Sequence, residues 1–137
     1  MLLPSLDNIV KDEYVEKVII EELKKHNIPP GFILGIHENY CKSFIVGKTI
    51  PIYENRTVIK EYDREKIIGV IIKIGDCNKS KLSKLSVLFH EFYHAIEYYK
   101  GEDNESFLTE IKADLYSYKL LFYYFSLKMY EKIKKIL

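Results

Sequence analysis

The chain is poor in cysteine and contains no tryptophan among its 137 residues. Its two cysteines, Cys41 and Cys77, are too few for a disulfide framework, and their spacing does not match a zinc knuckle. We interpret them as reduced thiols of a cytoplasmic protein, with a Cys41–Cys77 disulfide as the alternative. Residues 1–7 have neither a basic start nor a long apolar stretch, so no signal peptide is predicted. These absences argue against a small secreted scaffold held together by disulfides.

The chain also lacks an excess of charge of either sign and lacks a long apolar run. It has 21 Lys and Arg against 20 Asp and Glu, which gives a formal net charge of +1. This balance provides no general attraction to nucleic acid or to an anionic membrane surface, and no nucleic-acid-binding motif is present. No apolar stretch approaches the roughly 20 residues that a membrane-spanning helix requires. We therefore predict neither a nucleic-acid nor a membrane partner, and the oligomeric state is left open.

What the chain does contain is the composition of a soluble globular protein, with 47% hydrophobic and 30% charged residues. Its length is that of one domain with an ordinary hydrophobic core, so we predict a single domain over residues 1–137. The periodicity predicts an amphipathic helix over residues 7–26, ended by the Pro29-Pro30-Gly31 breaker. Residues 32–75 have short β-rich runs, of which Lys66–Ile74 is the clearest strand. We expect this strand to form a hairpin with residues 57–61.

Two helices are predicted after the β-rich region. The first is capped by Ser80 or Ser83 and stopped by Gly101. The second starts near Glu105, with Asp103 or Asn104 as its cap, and Ser126 is a candidate break that would leave a basic tail over residues 128–137. Its apolar positions are Phe107, Leu108, Ile111, Leu115, Tyr118, Leu121, Phe122 and Phe125. The predicted class is α+β: an N-terminal helix, a small and mostly antiparallel sheet of three to four strands, and two final helices.

The first of these two helices carries the pattern His90-Glu91-Phe92-Tyr93-His94. Residues i and i+4 lie on one face of an α-helix, about one turn apart, so both imidazoles point the same way. Two neutral imidazoles at that separation can bind one zinc ion, and Glu91 beside them can act as a base. The alternative is a pair of ordinary core histidines. We favour the zinc site, because an apolar helix that buried His90, Glu91 and His94 without a metal would be costly.

A two-histidine site needs a third protein ligand if one position is to stay open for water. No histidine follows His94, and Glu110 is the best candidate, because 16 residues allow a loop and a second helix that returns across the first. Asp114 lies one turn after Glu110 on the same face and could orient a ligand imidazole through its other nitrogen. The alternative is that Glu110 and Asp114 are surface charges; Glu97, Glu102 and Glu105 are the remaining candidate ligands. His37 is not assigned by any motif.

The two segments together resemble the gluzincin pattern, His-Glu-x-x-His followed by Glu-x-x-(Ser/Ala)-Asp on a later helix. The run from Glu110 to Leu121, Glu-x-x-Ala-Asp-x-Tyr-Ser-x-x-Leu-Leu, is similar to that of the ImmA/IrrE-type metallopeptidases, which have Phe-Ala in place of Tyr116-Ser117. The resemblance covers roughly residues 64–121. The chain is also similar in size to the minigluzincins, whose third ligand is a histidine that this sequence does not offer. The resemblance implies a minimal zincin-like fold.

These observations predict a zinc-dependent endopeptidase that cleaves a peptide or protein substrate. Zinc is held by His90, His94 and Glu110, and Glu91 is the general base. By analogy with the family, the strand Ile67–Ile74 would border the cleft and pair with an extended peptide. Two alternatives stay open: a zinc-binding interaction module without proteolytic activity, and a latent precursor in which a terminal segment covers the cleft.

Overall fold

The computed structural model describes residues 12–37, 47–54, 66–75, 80–102 and 106–137. These residues form three α-helices and three strands, which confirms the α+β class. The elements are, in chain order, α1 (Glu13–Lys25), a single 3-10 turn (Pro30–Phe32), β1 (Ile33–His37), β2 (Gly47–Tyr53), β3 (Ile67–Ile74), α2 (Lys81–Lys100) and α3 (Phe107–Ile136). Cys41 and Cys77 lie outside the described residues. Within the described residues no helix is long and apolar enough to cross a bilayer.

The sheet has the strand order β1-β3-β2, with β3 in the centre. The prediction of a strand over residues 66–74 is confirmed: Val70, Ile72 and Ile74 are fully buried, as expected for a strand with neighbours on both edges. β2 pairs antiparallel with β3, and β1 pairs parallel with it. The sheet is therefore mixed and not mostly antiparallel, because β1 runs in the same direction as β3 and β2 runs in the opposite direction.

The antiparallel partner of β3 is β2, and residues 57–61, the predicted partner, lie outside the described residues. The pairing of β2 with β3 extends from Gly47 opposite Ile74 to Tyr53 opposite Ile67. It continues one step further, where the Glu54 amide donates to the Lys66 carbonyl at 2.7 Å. Of the three described strands β2 thus forms one edge of the sheet, and its Pro51 is compatible with that position because an edge strand can spare an N–H donor.

α2 is bounded by the residues that the sequence predicts. The Ser80 hydroxyl accepts a hydrogen bond from the Ser83 amide at 3.3 Å, and Gly101 ends the helix in the left-handed conformation with φ 73°, where a residue without Cβ is favoured. The apolar face of α2 is fully buried against the sheet. Its members are Leu85, Leu88, Phe89, Phe92 and Ile96. A second face of α2 packs against α3.

α3 departs from the sequence prediction at both ends. Its cap is Ser106, whose hydroxyl accepts from the Thr109 amide at 3.1 Å, and not Asp103 or Asn104. The helix then runs without interruption for 30 residues. The predicted break at Ser126 is wrong because the Ser126 hydroxyl donates to the Phe122 carbonyl at 2.8 Å, so the side chain is satisfied within the helix.

Most apolar side chains that mark α3 in the sequence are exposed in the structure. The buried positions of this helix are Thr109, Ala113, Ser117, Leu120, Leu121 and Tyr124. On the opposite side lies a row that we call the outer face of α3, in which every side chain is at least 40% exposed. The outer face consists of Leu108, Ile111, Leu115, Tyr118, Phe122, Phe125, Met129, Ile133 and Ile136.

Polar contacts fasten α1 across α3. The Tyr116 hydroxyl donates to Glu22 Oε1 at 2.7 Å, and Tyr123 donates to Glu21. Asp12, which caps α1, accepts from Tyr124 and from the ammonium group of Lys81 at 2.6 Å. Partial burial raises the pKa of the Asp12 carboxyl, but the hydrogen bonds from Lys81, Tyr124 and the Tyr14 amide, together with the charge of Lys81, bring the pKa below its usual value. These contacts fix the position of α3 relative to α1 and to the start of α2.

We expect Tyr116→Phe to lower the free energy of unfolding by about 1–3 kcal/mol, because it leaves the buried Glu22 carboxylate without its donor. Urea denaturation measures the change. Tyr130→Phe, which removes the same hydroxyl from an exposed tyrosine of the same helix, should change stability by less than about 0.5 kcal/mol. Equal effects of both substitutions would contradict this role of Tyr116.

Candidate metal centre

Three side chains converge where α2 meets α3. His90 and His94 lie one turn apart on α2, and their Nε2 atoms are 3.3 Å from each other. Glu110, in the first turn of α3, reaches both: its Oε2 is 2.9 Å from His90 Nε2, and its Oε1 is 3.1 Å from His94 Nε2. One donor atom from each residue lies within 4.8 Å of the others. The structure therefore brings together the three residues that the sequence predicts as metal ligands.

The separations are compatible with one small divalent cation. For a tetrahedral ion about 2.0–2.1 Å from each donor, geometry places neighbouring donors roughly 3.3–3.4 Å apart. The two imidazole nitrogens already have this separation. Glu110 lies a few tenths of an ångström closer, and its half-exposed side chain, at 53%, has room to move outward. Two imidazole nitrogens and one carboxylate oxygen form the donor set of a metal site that retains an open position.

Each histidine has a carboxylate behind its other ring nitrogen. Asp114 Oδ1 is 2.7 Å from His90 Nδ1, and Glu97 Oε1 is 3.5 Å from His94 Nδ1. Asp114 accepts a hydrogen from His90 Nδ1, which leaves the lone pair of His90 Nε2 directed toward the cluster and holds the ring in place, whereas Glu97 and His94 are at an ion-pair distance. Asp114 thus lies where the sequence predicts. Glu97, which sequence reasoning considered only as a ligand, lies outside the cluster, three residues after His94.

Close packing of α2 and α3 makes this convergence possible. Ala113 is fully buried between Glu110 and Ser117 along α3. The Ser117 hydroxyl donates to the Ser86 carbonyl of α2 at 2.7 Å. Small side chains let two helix backbones approach, and the hydrogen bond occupies a polar group that would otherwise be buried without a partner. The helices are therefore close enough for a short carboxylate on one to reach two imidazoles on the other.

Glu91 is held separately from the three converging side chains. It is 6% exposed, and Thr49 of β2 donates its hydroxyl to the Glu91 carbonyl oxygen at 2.8 Å and lies 3.5 Å from Oε1. Burial raises the pKa of Glu91 to about 7, and the nearby Glu110 carboxylate adds to the rise, while His90 and the Thr49 hydroxyl oppose it. A carboxyl in such surroundings can exchange a proton near neutral pH.

β2 approaches α2 most closely at Gly47. A Cβ at that position would lie 2.5 Å from Val87 Cγ1 and 3.0 Å from Glu91 Cγ, closer than atoms can pack without displacement. Glycine is therefore required sterically where the strand crosses the helix. Neither Gly47 nor Thr49 carries a signal that the sequence could have connected to Glu91, because both are more than 40 residues away.

A cleft of about 660 Å³ opens beside the cluster of His90, His94 and Glu110. β2 forms one wall with residues 47–51 and Tyr53, α2 contributes Glu91, His94, Glu97 and Tyr98, and the start of α3 contributes Ser106, Phe107 and Glu110. The strand beside the cleft is thus β2. The expectation that Ile67–Ile74 would border it is wrong, since that strand is central and has no free edge. His37 lies on β1, on the far side of β3 from β2.

Comparison with protein-family models, curated proteins and solved structures gave no match. The chemistry of the site must therefore be inferred from its donor atoms, their spacing and their surroundings.

We expect Gly47→Ala to destabilise the protein by about 1–3 kcal/mol, because the added methyl group forces β2 away from Val87 and Glu91. Gly31→Ala is the matched control, since a Cβ there meets nothing within 4 Å, and it should be neutral or stabilise by up to about 1 kcal/mol. Thermal unfolding compares the two. A neutral Gly47→Ala variant would show that the strand and the helix are less tightly packed than described.

Proposed function

We propose that this protein is a zinc-dependent endopeptidase. The observation that carries the proposal is the convergence of His90, His94 and Glu110, from two different helices, at the edge of a cleft that also contains Glu91. Two histidines and one glutamate are the ligand set of catalytic zinc sites that hydrolyse peptide bonds. The combination of three ligands with a separate buried carboxylate is what hydrolysis requires: a metal site with one position open, and a base that does not coordinate the metal.

Zinc is the metal that fits this donor set best, because borderline imidazole ligands with one carboxylate are typical of it, whereas calcium and magnesium prefer oxygen ligands alone. When bound, zinc supplies a Lewis acid that polarises a carbonyl and lowers the pKa of a coordinated water to near 7. His90 and His94 would hold it through Nε2, with Asp114 fixing the His90 ring and Glu97 placing a negative charge beside His94, and Glu110 would complete the protein ligands.

Glu91 has the role of general base. It projects into the same cleft as His94 and Glu110, and the hydroxyl of Thr49 restrains the turn of α2 that carries it. Its carboxylate takes the proton from the attacking water and returns it to the amine of the departing peptide. Because the buried side chain lines the cleft, it can exchange a proton with water at the place where substrate binds.

Among the described strands β2 has a free edge, and this edge is where we place the substrate. An edge strand presents unpaired N–H and C=O groups, to which an extended peptide can add as a further strand. β2 borders the cleft along residues 47–53, so a peptide paired with it would pass in front of His94 and Glu91. Ile50, Pro51 and Phe107 give the cleft apolar walls, which favours substrates with apolar side chains near the cleaved bond.

The resemblance to gluzincins, and to ImmA/IrrE-type metallopeptidases in particular, supports the same proposal. Its distinctive part is Glu110-x-x-Ala113-Asp114, and the positions of these residues are consistent with it: a possible ligand, a buried small residue between the helices, and a carboxylate on His90. The family assignment belongs to the proposal and rests on these residues alone.

Activity on peptides separates the proposal from its alternatives. Zinc-loaded protein is incubated with a mixed peptide library and the products are read by mass spectrometry. Stoichiometric zinc without any cleavage would favour an interaction module. Cleavage only after removal of a terminal segment would favour latency. In the part of the chain that the structure describes, residues 128–137 do not line the cleft, so the C-terminal end of α3 is not the expected cover.

We expect Glu91→Gln to retain stoichiometric zinc and to lose peptidase activity by about 10²–10⁴-fold, because the amide cannot accept the proton of the attacking water. Zinc content by atomic absorption and initial rates of peptide cleavage are measured on the same preparation. His94→Ala is the complementary variant and should lose the metal as well as the activity. Full activity in Glu91→Gln would refute the assignment of the base.

We expect Asp114→Asn to weaken zinc binding by about 10–100-fold, because the carboxylate that orients His90 is replaced by a neutral amide. Competition with a chromophoric chelator measures the affinity. Glu131→Gln, the same chemical change further along α3, is the control and should leave the affinity unchanged. If Asp114→Asn bound zinc as tightly as the control, the contact with His90 would have no bearing on the metal.

A further inference from the structure

The outer face of α3 is a continuous row of exposed apolar side chains on the described surface. Its side chains recur at intervals of three and four residues from Leu108 to Ile136, so that apolar residues stand at every seventh position: Leu108, Leu115, Phe122, Met129 and Ile136. This is the spacing of a seam at which two helices pack side by side. At 1.5 Å per residue the seam is about 42 Å long.

The exposed area is too large for an ordinary monomer surface. Phe122 is 77% exposed, Tyr118 64% and Leu115 63%, and an aromatic side chain presents roughly 150–250 Å². The nine members together expose on the order of 1,000 Å², whereas the largest apolar patch of a typical monomer is about 300–600 Å². A standard protein interface buries about 800 Å² on each partner. The outer face alone is therefore large enough for a stable interface.

The charges beside the seam are of both signs in its first half. Glu110 and Asp114 lie on one flank, with side chains 53% and 62% exposed, and the exposed Lys112 and Lys119 lie on the other flank. The second half is basic, with four lysines and one glutamate between residues 126 and 137. The first half of the helix is thus balanced in charge, with its two carboxylates on one flank, and the second half is basic, so a reversed copy avoids placing two basic ends together.

We propose that two copies of this chain associate through the outer face of α3, with the two helices antiparallel. In this arrangement the seam packs against itself about a two-fold axis near Phe122, the contact expected of a symmetric dimer. The basic end of each helix lies beside Glu110 and Asp114 of the other copy. A parallel arrangement would instead place the two lysine-rich ends together.

A bound divalent ion would not neutralise all of these carboxylates. Apart from the buried Glu91, three surround the cluster, on Glu97, Glu110 and Asp114, against the two charges of the ion. The basic ends of a reversed copy therefore still lie beside carboxylates. The dimer does not depend on the proposed peptidase activity, because the outer face is separate from the converging donor atoms.

Sedimentation velocity of the full chain over a range of concentrations tests the association. We expect a species of twice the 16.3 kDa chain mass and a dimer dissociation constant raised at least about tenfold by Phe122→Glu, since a charge is placed at the centre of the seam. Leu115→Glu should have a similar effect. Tyr130→Glu is the matched control: Tyr130 is 63% exposed on the same helix but lies off the seam, and the dimer should persist.

Circular dichroism shows that the variants are folded, which is expected because every substituted side chain is exposed. A wild-type chain that sediments as a 16.3 kDa monomer at all concentrations would overturn the proposal. Binding of that monomer to anionic vesicles in a flotation assay would show that the outer face contacts lipid instead. Equal weakening by Phe122→Glu and Tyr130→Glu would also overturn it.

The orientation has its own test, in which the two arrangements predict opposite signs. Lys134→Glu combined with Lys135→Glu should raise the dissociation constant of an antiparallel dimer, because attraction to the acidic flank is lost. The same change would lower it in a parallel dimer, because repulsion between the lysine-rich ends is removed. The effect should be larger at low ionic strength. A tighter dimer would overturn the antiparallel arrangement.

Discussion

Close packing of α3 against α2 is the interaction on which the rest of the structure depends. Ala113 is fully buried between the helices, and Ser117 hydrogen-bonds to a carbonyl of α2 one turn further on. A larger residue at either position would separate the helices, and a glutamate side chain reaches only a few ångströms. The meeting of Glu110 with His90 and His94 is therefore a consequence of side-chain volume at two positions that themselves carry no metal chemistry.

The sheet supports the same arrangement from the other side. β2 lies against α2 at Gly47, where no side chain fits, and at Thr49, whose hydroxyl reaches the backbone of the turn that contains Glu91. α2 is thus held between a strand and a helix, each of which contributes to the cleft. The carboxylate proposed as base, Glu91, is positioned by contacts between α2 and β2. The three proposed ligands meet where α2 contacts α3, so the base and the ligands are positioned by separate contacts.

The local part of this organisation could be predicted from the sequence. The i, i+4 spacing of His90 and His94, the cap at Ser80 and the stop at Gly101 depend only on neighbouring residues, and Glu110 follows once a short connection between two helices is assumed. The contacts of Gly47 and Thr49 could not be predicted, because they depend on which strand occupies which edge of the sheet. The strand order also explains why β3, the strongest strand signal, is central and does not border the cleft.

The buried face of α3 also could not be predicted from the sequence. Its apolar residues outnumber what one buried face can hold, and periodicity alone does not indicate which of two stripes faces the core. The structure buries the stripe with the small residues, Ala113 and Ser117, and leaves the stripe with Phe122 and Tyr118 outside. Close helix packing selects the smaller side chains, so the more hydrophobic stripe remains exposed.

The tyrosine contacts between α1 and α3 have a geometric consequence for the metal cluster. Tyr116 lies six residues after Glu110 on the same rigid helix, and its bond to Glu22 fixes how far α3 is turned about its own axis. A rotation by one residue, about 100°, would carry Glu110 off the side that faces the imidazoles. The N-terminal helix supplies no donor atom to the cluster. Its contact with Tyr116 nevertheless determines the direction in which the Glu110 side chain points from α3.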